Sequence, residues 1–215
     1  MRIRRDLERM VDEQIRARNV RDERVLQAML RVPRHRFVGD AMRHRAYDDC
    51  PLPIGDGQTI SQPYIVARML ELLALRGDET VLEIGAGSGY QTALLALLAK
   101  RVVAIERIGS LALIARRRLE TLEIPNAVVI CADGSMGWSQ EAPYRGILVA
   151  AAAPDVPSML MEQLTDDGRL VVPVGGRETQ DLMVYSRRGD GFEETNDGGC
   201  RFVPLIGRHG WEDSR

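Results

Sequence analysis

The sequence predicts one α/β domain over residues 1–215, built on a doubly wound, mostly parallel sheet of seven strands. Three observations support this fold class. Short β-rich runs alternate with helical segments from residue 80 onwards, which is the pattern of parallel βαβ units. One of these runs passes through glycines directly into a helix, as at the ligand-binding end of parallel sheets. The composition, with 45% apolar and 28% charged residues, is that of an ordinary globular protein.

The start of the chain predicts a helical extension. Apolar residues recur there at three-to-four spacing, at Leu7, Met10, Val11 and Ile15. A second helix is expected to begin near Asp22 and to end before Pro33. Arginines crowd this region, but acidic residues alternate with them at helical spacing. The pattern therefore favours a solvated, ion-paired surface over a nucleic-acid interface.

Residues 1–76 are expected to combine these helices with a functional loop. Prolines and glycines break any long element between Tyr47 and Pro63. Ser61 is then expected to cap a third helix, with Pro63 in its first turn and Gly77 at its end.

Residues 77–215 are predicted to form the α/β core. Strands are expected at residues 80–84, 101–106, 127–131, 147–151 and 170–174, with helices at 90–98, 110–122 and 158–164. Two last strands are expected at residues 182–186 and 201–205. No helical segment separates them, so the sheet is expected to end in an antiparallel pair.

The strongest chemical signal lies where the first core strand ends, in the segment Val81-Leu82-Glu83-Ile84-Gly85-Ala86-Gly87-Ser88-Gly89-Tyr90. A strand that runs through glycines into a helix lets the backbone approach a ligand closely. The dinucleotide fingerprint would place a glycine where Tyr90 stands, which disfavours NAD and FAD. The residues predicted to contact the ligand here are Glu83, Gly85, Ala86, Gly87, Ser88, Gly89 and Tyr90.

Two acidic positions follow at the ends of the next two strands. Glu106 lies about 20 residues beyond the first glycine, where a carboxylate can accept hydrogen bonds from both hydroxyls of a ribose. Asp133 and Gly134 follow the third strand, where an adenine edge would lie. The loop shows no phosphate-binding GK[ST] pattern. These features together favour S-adenosylmethionine, an adenosine derivative that carries a sulfonium and no phosphate.

The glycine segment resembles motif I of the class I methyltransferases, and other segments resemble the protein-L-isoaspartate O-methyltransferase family. These segments are Gly57-Gln58-Thr59-Ile60-Ser61-Gln62-Pro63-Tyr64, Asp133-Gly134 with Gly137-Trp138, and Arg201-Phe202-Val203-Pro204-Leu205. The resemblance runs from about residue 10 to residue 205. It implies a Rossmann-like fold and methyl transfer to the free α-carboxylate of L-isoaspartyl residues. The product S-adenosylhomocysteine would be released, and the methyl ester would start repair through a succinimide.

The resemblance also implies roles for individual residues. Ser61 matches the active-site serine of the family, and Thr59 and Ile60 beside it are expected to contact the cofactor. The segment Arg201, Phe202, Val203, Pro204 and Leu205 is expected to hold the main chain of the substrate as an added strand. The chain departs from the family at three positions: Arg145 stands near a usual acidic residue, Ala150 near a usual threonine, and Cys200 where a small apolar residue is common.

Three other interpretations stay open at this point. The chain could methylate a different acceptor, bind the cofactor without catalysis, or be a nicotinamide oxidoreductase. The glycine spacing disfavours the oxidoreductase, and the intact Ser61 disfavours an inactive binding module.

The expected partners are isoaspartyl peptides and proteins, with no obligate protein partner. A net charge of −2 and the absence of an apolar stretch of 18 to 20 residues predict no nucleic-acid and no membrane partner. The three cysteines, Cys50, Cys131 and Cys200, lack metal-binding spacing, so no metal site is expected. Reduced cysteines and no recognisable secretory signal predict a cytoplasmic protein.

Overall fold

A computed structural model describes residues 2–213 and contains a seven-stranded sheet with buried side chains on both faces. A separate two-stranded hairpin consists of β1 (Leu52–Gly55) and β2 (Gln58–Ile60). The strands of the large sheet are β3 (Thr80–Ile84), β4 (Arg101–Glu106), β5 (Ala127–Cys131), β6 (Tyr144–Val149), β7 (Leu164–Gly175), β8 (Gln180–Arg188) and β9 (Gly191–Cys200). The helices are α1 (Arg2–Arg9), α2 (Glu23–Arg31), α3 (Pro63–Leu72), α4 (Tyr90–Leu98), α5 (Gly109–Thr121) and α6 (Ser158–Glu162).

The strand order β5-β4-β3-β6-β7-β8-β9 explains where a ligand can bind. The first five strands in this order are parallel, and β8 and β9 are antiparallel to their neighbours. From β3 the chain builds outwards through β4 to β5, and it then returns to place β6 on the other side of β3. Ligands of doubly wound sheets bind at the carboxyl ends of the strands where the order reverses. The expected ligand position is therefore the end of β3 and β6.

The sheet is buried because its central strands are apolar on both faces. Val81 and Val102 belong to one cluster of buried side chains, whereas Leu82 and Val103 belong to the cluster on the opposite face. Such continuous apolar strands are typical of parallel sheets covered on both sides. The predicted doubly wound, mostly parallel fold is confirmed.

The N-terminal helices pack on one of these faces. Met10, Val11 and Ile15, which continue α1 as a π-helical turn, are fully buried in the same cluster as the sheet residues. Asp22 caps α2 by accepting a hydrogen bond from the backbone N–H of Arg24 at 2.8 Å. The extension and the sheet thus share one hydrophobic core.

The predicted last strand is wrong. The strand that pairs with β8 is Gly191–Cys200, and residues 201–205 lie outside the regular sheet. β9 is an edge strand whose residues are almost all exposed, so it lacks the alternation of apolar residues that marks a strand in a sequence. Phe202 and Leu205 are apolar for a different reason: they are buried near the end of β6.

The predicted helix cap and loop also differ from the structure. Gln62, not Ser61, occupies the N-cap position of α3, and it makes no side-chain capping bond. The helix ends at Leu72, before the predicted Gly77. The predicted loop before Pro63 contains the hairpin β1–β2, which turns through Gly55 and Gly57 at positive φ.

Three strands are longer than predicted. β6 begins at Tyr144, and β8 runs over Gln180–Arg188. β7 runs over Leu164–Gly175 with an irregular pairing to β6 near its start. Asp167 adopts a positive φ there, which distorts the strand locally. Across residues 2–213, no helix combines the length and the apolar character needed to cross a bilayer.

Candidate active site

The glycine segment forms a tight loop at the carboxyl end of β3. The backbone N–H groups of Gly85 and Ala86 donate to the carbonyl oxygen of Ile105 at 2.8 and 3.1 Å, so β4 holds the loop. Gly85 and Gly89 have φ values of +90° and +84°, a region that favours glycine. A Cβ atom on Gly89 would lie only 3.2 Å from the Cβ of Ala115 on α5. The glycines therefore allow both the sharp turn and the close packing of α5.

Three adjoining clefts lie at this end of the sheet, and the glycine loop lines the first two. The first, of about 620 Å³, lies between the loop, the end of β4 and residues 203–206. The second, of about 330 Å³, lies between the loop and the start of α3, and the third, of about 860 Å³, lies between the start of α3 and residues 199–203. Thr59 and Ala150 line all three clefts, and Ser61 lines the second and third. The three clefts therefore meet at Thr59 and Ala150, which line all of them.

Glu106 ends β4 and lines the first cleft. Its Oε2 accepts a hydrogen bond from the N–H of Gly87, and its Oε1 accepts one from the N–H of Ile108, both at 2.8 Å. These two bonds orient the carboxylate between the glycine loop and the start of α5. Each carboxylate oxygen keeps further lone pairs, so the group can still accept hydrogen bonds from a ligand diol.

Asp133 and Gly134 differ in their position relative to the clefts. Gly134 lines the first cleft, whereas Asp133 lines none of the three. Asp133 Oδ1 accepts from the N–H and hydroxyl of Ser135, and its Oδ2 accepts from the N–H of Arg208. Partial burial opposes ionisation of Asp133, but these hydrogen bonds outweigh it and lower its pKa. Asp133 thus anchors the C-terminal segment beside the cleft.

Ser61 occupies the joint between the second and third clefts. The hairpin brings Thr59 and Ile60 beside it, and both also line the second cleft. The guanidinium of Arg34, which is fully buried, donates to the carbonyl oxygen of Ser61 at 2.7 Å. The same guanidinium lies 5.0 Å from the ring centre of Tyr90, the first residue of α4. Arg34 therefore connects the Ser61 backbone to the helix that follows the glycine loop.

Glu83 lies behind the loop and lines none of the three clefts. It is fully buried, and its Oε2 accepts a hydrogen bond from the hydroxyl of Thr92 at 2.5 Å. Burial raises the pKa of Glu83 to about 8; the bond from Thr92 opposes this shift, and the nearby carboxylate of Glu106 adds to it. Glu83 is therefore mainly protonated at neutral pH.

The other predicted ligand contacts divide between the clefts. Gly85 and Gly87 line the first and second clefts, and Ala86, Ser88 and Tyr90 line the second. Gly89 lines none of them, because it faces α5.

Residues 201–205 run beside the end of β6. Val203 and Leu205 exchange backbone hydrogen bonds of 2.8 Å with Ala152. Arg201, Phe202 and Val203 line the third cleft, and Val203, Pro204 and Leu205 line the first. The predicted substrate segment thus borders the same joined clefts as Ser61.

Several lining residues were not predicted from the sequence. Ile84, Ile105 and Ile108 give the first cleft apolar walls, and Arg18 and Tyr64 line the third. The isoleucines carry no chemical signal because apolar strand residues are expected in any core. Arg18 lies far from the loop in sequence, so only the tertiary structure brings it there.

Ala150, which stands near a usual threonine of the resembled family, lies at the centre of the site because it lines all three clefts. Arg145 lies further back on β6, and its Nη1 is buried with no hydrogen-bond partner among residues 2–213. The substitution at Ala150 therefore changes the surface that the clefts share.

The first cleft is suited to a nucleoside without phosphates. It offers isoleucine side chains for an apolar ring, glycine backbone, and the Glu106 carboxylate for a diol. Its one lining cation, Arg107, is paired with Asp213 at 3.1 Å. None of the three histidines lines a cleft, and residues 2–213 contain no cluster of side chains that could hold a metal ion.

Comparison with known proteins identifies the family of the sequence. Residues 5–210 match the family model "Protein-L-isoaspartate(D-aspartate) O-methyltransferase (PCMT)". The chain is 58% identical over 206 residues to a protein-L-isoaspartate O-methyltransferase from Syntrophus aciditrophicus, covering 94% of both chains. It is 57% identical over 205 residues to the protein of that name from Methanoregula boonei, covering 95% of this chain and 94% of the relative.

Solved structures agree with the fold. A structure named protein-L-isoaspartate O-methyltransferase superposes with a TM-score of 0.85 at 28% identity, covering 94% of this chain and 67% of the other. A second, from Plasmodium falciparum in complex with S-adenosyl-L-homocysteine, superposes with a TM-score of 0.80 at 24% identity, covering 93% and 98%.

Proposed function

The chain belongs to the protein-L-isoaspartate(D-aspartate) O-methyltransferase family, and on that basis we propose how its three clefts perform the reaction. It is an S-adenosylmethionine-dependent protein-L-isoaspartate O-methyltransferase, and damaged proteins are its substrates. We propose that the methyl group goes to the free α-carboxylate of the isoaspartyl residue. One observation carries the proposal: Ser61 lines both the cleft beside the glycine loop and the cleft beside Arg201.

In this proposal the first and second clefts hold the cofactor. Glu106 accepts hydrogen bonds from the ribose hydroxyls, and Gly134 with the isoleucine walls surrounds the adenine. The backbone of Gly85, Ala86, Gly87, Ser88 and Tyr90, with Thr59 and Ile60, borders the remainder of the cofactor. Bound S-adenosylmethionine supplies an electrophilic methyl group on a sulfonium. Glu83, Gly89 and Asp133 support the site from behind the clefts.

The third cleft holds the acceptor peptide. Residues 201–205 border this cleft. The carbonyl oxygen of Val203 and the N–H of Leu205 already bond Ala152, so the substrate main chain bonds the backbone groups of this segment that these two bonds leave free. Ser61 donates its hydroxyl hydrogen to the isoaspartyl carboxylate and so orients one oxygen towards the second cleft. Holding two reactants in line supplies on the order of 7 to 11 kcal/mol of the barrier reduction.

No side chain has to remove a proton from the acceptor. A carboxyl group with a pKa near ~4 is already ionised at neutral pH. This agrees with the absence of histidines from the three clefts. The task of Ser61 is orientation, and the methyl ester then closes to a succinimide whose opening returns some normal aspartate.

We also propose that the protein works in the cytoplasm on isoaspartyl peptides and proteins. Cys50, Cys131 and Cys200 are all unpaired, which suits a reducing compartment. The expectations of no nucleic-acid, membrane or obligate protein partner stay predictions.

The test uses two peptides that differ only in L-isoaspartate or L-aspartate at one position, with methyl-labelled S-adenosylmethionine. We expect a base-labile methyl ester on the isoaspartyl peptide alone. If neither peptide is labelled while the cofactor binds, the acceptor is a different one.

Ser61→Ala tests the proposed orientation. We expect kcat/KM to fall by roughly 10 to 100-fold, because a hydrogen bond to a charged group is lost at the reacting carboxylate. Affinity for S-adenosylhomocysteine should change little. Ser139→Ala, at an exposed serine outside the clefts, is the matched control. Unchanged kcat/KM in Ser61→Ala would remove the hydroxyl from the mechanism.

A further inference from the structure

The third cleft carries an uneven distribution of charge. Its lining includes two arginines, Arg18 and Arg201, and no carboxylate. The thiol of Cys200 also lines it, and burial raises its pKa to about 11, so it is uncharged at neutral pH. The lining of the cleft that Ser61 borders is therefore positive, and the carboxylate of Asp49, which pairs with Arg18 from outside this lining, offsets part of that charge.

Arg18 is held in place at the cleft. Its guanidinium carbon lies 3.5 Å from the centre of the Tyr64 ring, and its Nη1 donates to Asp49 Oδ2 at 3.0 Å. Within residues 2–213, its Nε and Nη2 groups have no acceptor. Stacking fixes the plane of the guanidinium, so these donors are available at little entropic cost.

Arg201 is exposed at the start of residues 201–205. In the described part of the chain it makes no ion pair and no side-chain hydrogen bond. The proposed function places the substrate main chain along this segment. A side chain of the bound peptide would therefore pass close to an unpaired cation.

We infer that Arg18 and Arg201 form a subsite that favours isoaspartyl peptides with an acidic residue beside the isoaspartate. This inference rests on the proposed function and names a class of substrate within it. A cleft lined by one sign of charge concentrates ligands of the opposite sign. A flanking glutamate gains attraction there, and a flanking lysine meets repulsion.

The expected preference is moderate because both arginines are solvent-exposed. Each exposed pair changes binding by a factor of only about 1.4 to 5. Attraction to one charge and repulsion of the other together predict roughly tenfold higher kcat/KM for a glutamate peptide than for a lysine peptide. The ratio should shrink towards one at 0.5 M salt, where such interactions are screened.

The experiment measures kcat/KM for isoaspartyl peptides with glutamate, glutamine or lysine at each of the three positions on either side of the isoaspartate. Arg18→Gln and Arg201→Gln should each reduce the glutamate-to-lysine ratio by about threefold, and the double variant should abolish it. Arg117→Gln makes the same charge change on the exposed face of α5, outside the clefts, and should leave the ratio unchanged.

Each alternative result has a distinct meaning. No methylation of the glutamine peptide by the unaltered enzyme would refute the proposed function itself. Methylation at equal rates for all three peptides would leave that function intact and refute the subsite. If the variants slow the glutamine and glutamate peptides equally, the arginines act on the acceptor carboxylate, and the inference is wrong.

Discussion

Glu106 is the residue whose role in cofactor binding can be tested most directly. We expect Glu106→Ala to weaken binding of S-adenosylhomocysteine by roughly 1.5 to 3 kcal/mol, as for lost hydrogen bonds to a charged group. The N–H groups of Gly87 and Ile108 also lose their acceptor, but they lose it in the free and the bound protein alike, so this change lowers stability rather than affinity. Calorimetry measures the affinity, with the exposed Glu120→Ala on α5 as control. Unchanged affinity would remove Glu106 from the site.

Glu83 gives a prediction about pH and stability. Its pKa is about 8 in the folded protein against an ordinary value of 4.5, so between these pH values the folded state keeps a proton that the unfolded state has lost. The free energy of unfolding therefore falls as pH rises through this window. Glu83→Gln has no such proton to lose. The free energy of unfolding of this variant should equal that of the parent near pH 5 and should exceed it by on the order of 3 to 5 kcal/mol above pH 8.

Urea denaturation at pH 5, 7 and 9 measures this difference. Glu120→Gln, at an exposed position of α5, should follow the parent at all three values. A Glu83→Gln curve parallel to that of the parent would show that Glu83 is ionised in the folded protein.

At the scale of elements, the C-terminal segment closes one side of the first cleft. Residues 206–211 follow the substrate segment, and Trp211 Nε1 donates to the carbonyl oxygen of Ala152 at 3.1 Å. The N–H of Arg208 binds Asp133, next to Gly134 in the cleft wall. Position 207 is a glycine because any Cβ there would clash with Asp133 and Ser135.

We therefore expect Gly207→Ala to displace this segment. S-Adenosylhomocysteine affinity should fall about threefold to tenfold, because the wall at Gly134 loses its support, and the free energy of unfolding should fall by about 1 to 3 kcal/mol as Asp133 loses hydrogen bonds. Calorimetry and urea denaturation measure the two effects. Gly39→Ala, which adds a methyl group in open space, should change neither. Parent-like affinity would show that the segment does not support the cleft.

The sequence predicts well those helices and strands that a run of apolar residues or a cluster of glycines marks. β3, β4, β5 and α4 have the predicted bounds. Their strands are buried apolar runs, and α4 begins directly after the glycines. β9 was missed because an exposed edge strand has no buried face to mark it in the sequence. The Ser61 cap was wrong because the chain enters α3 one residue later, at Gln62.

At the scale of the whole molecule, cofactor binding should stabilise the fold. Saturation at 100 times the Kd adds about 2.7 kcal/mol to the free energy of unfolding. For a chain of this size, S-adenosylhomocysteine should then raise the Tm by roughly 5 to 10 °C. NAD is the control ligand in the same thermal scan and should cause no shift. A shift with NAD and none with S-adenosylhomocysteine would contradict the cofactor assignment.

The prediction of a single domain over residues 1–215 stays a prediction, but the shared core supports it. Leu26 and Met29 of α2 and Leu94 of α4 are buried in one cluster. The division at residue 76 therefore separates segments of the chain that pack together.

The sequence by itself determined the fold class, the position of the glycine loop and the family, because these depend on local order: apolar runs, glycine spacing and contiguous motifs. The tertiary structure alone decided how these segments meet. It placed Glu83 and Asp133 behind the clefts, and it brought Arg18 to the third cleft beside Ser61. Such placements depend on contacts between residues far apart in the chain, for which a single sequence carries no local signal.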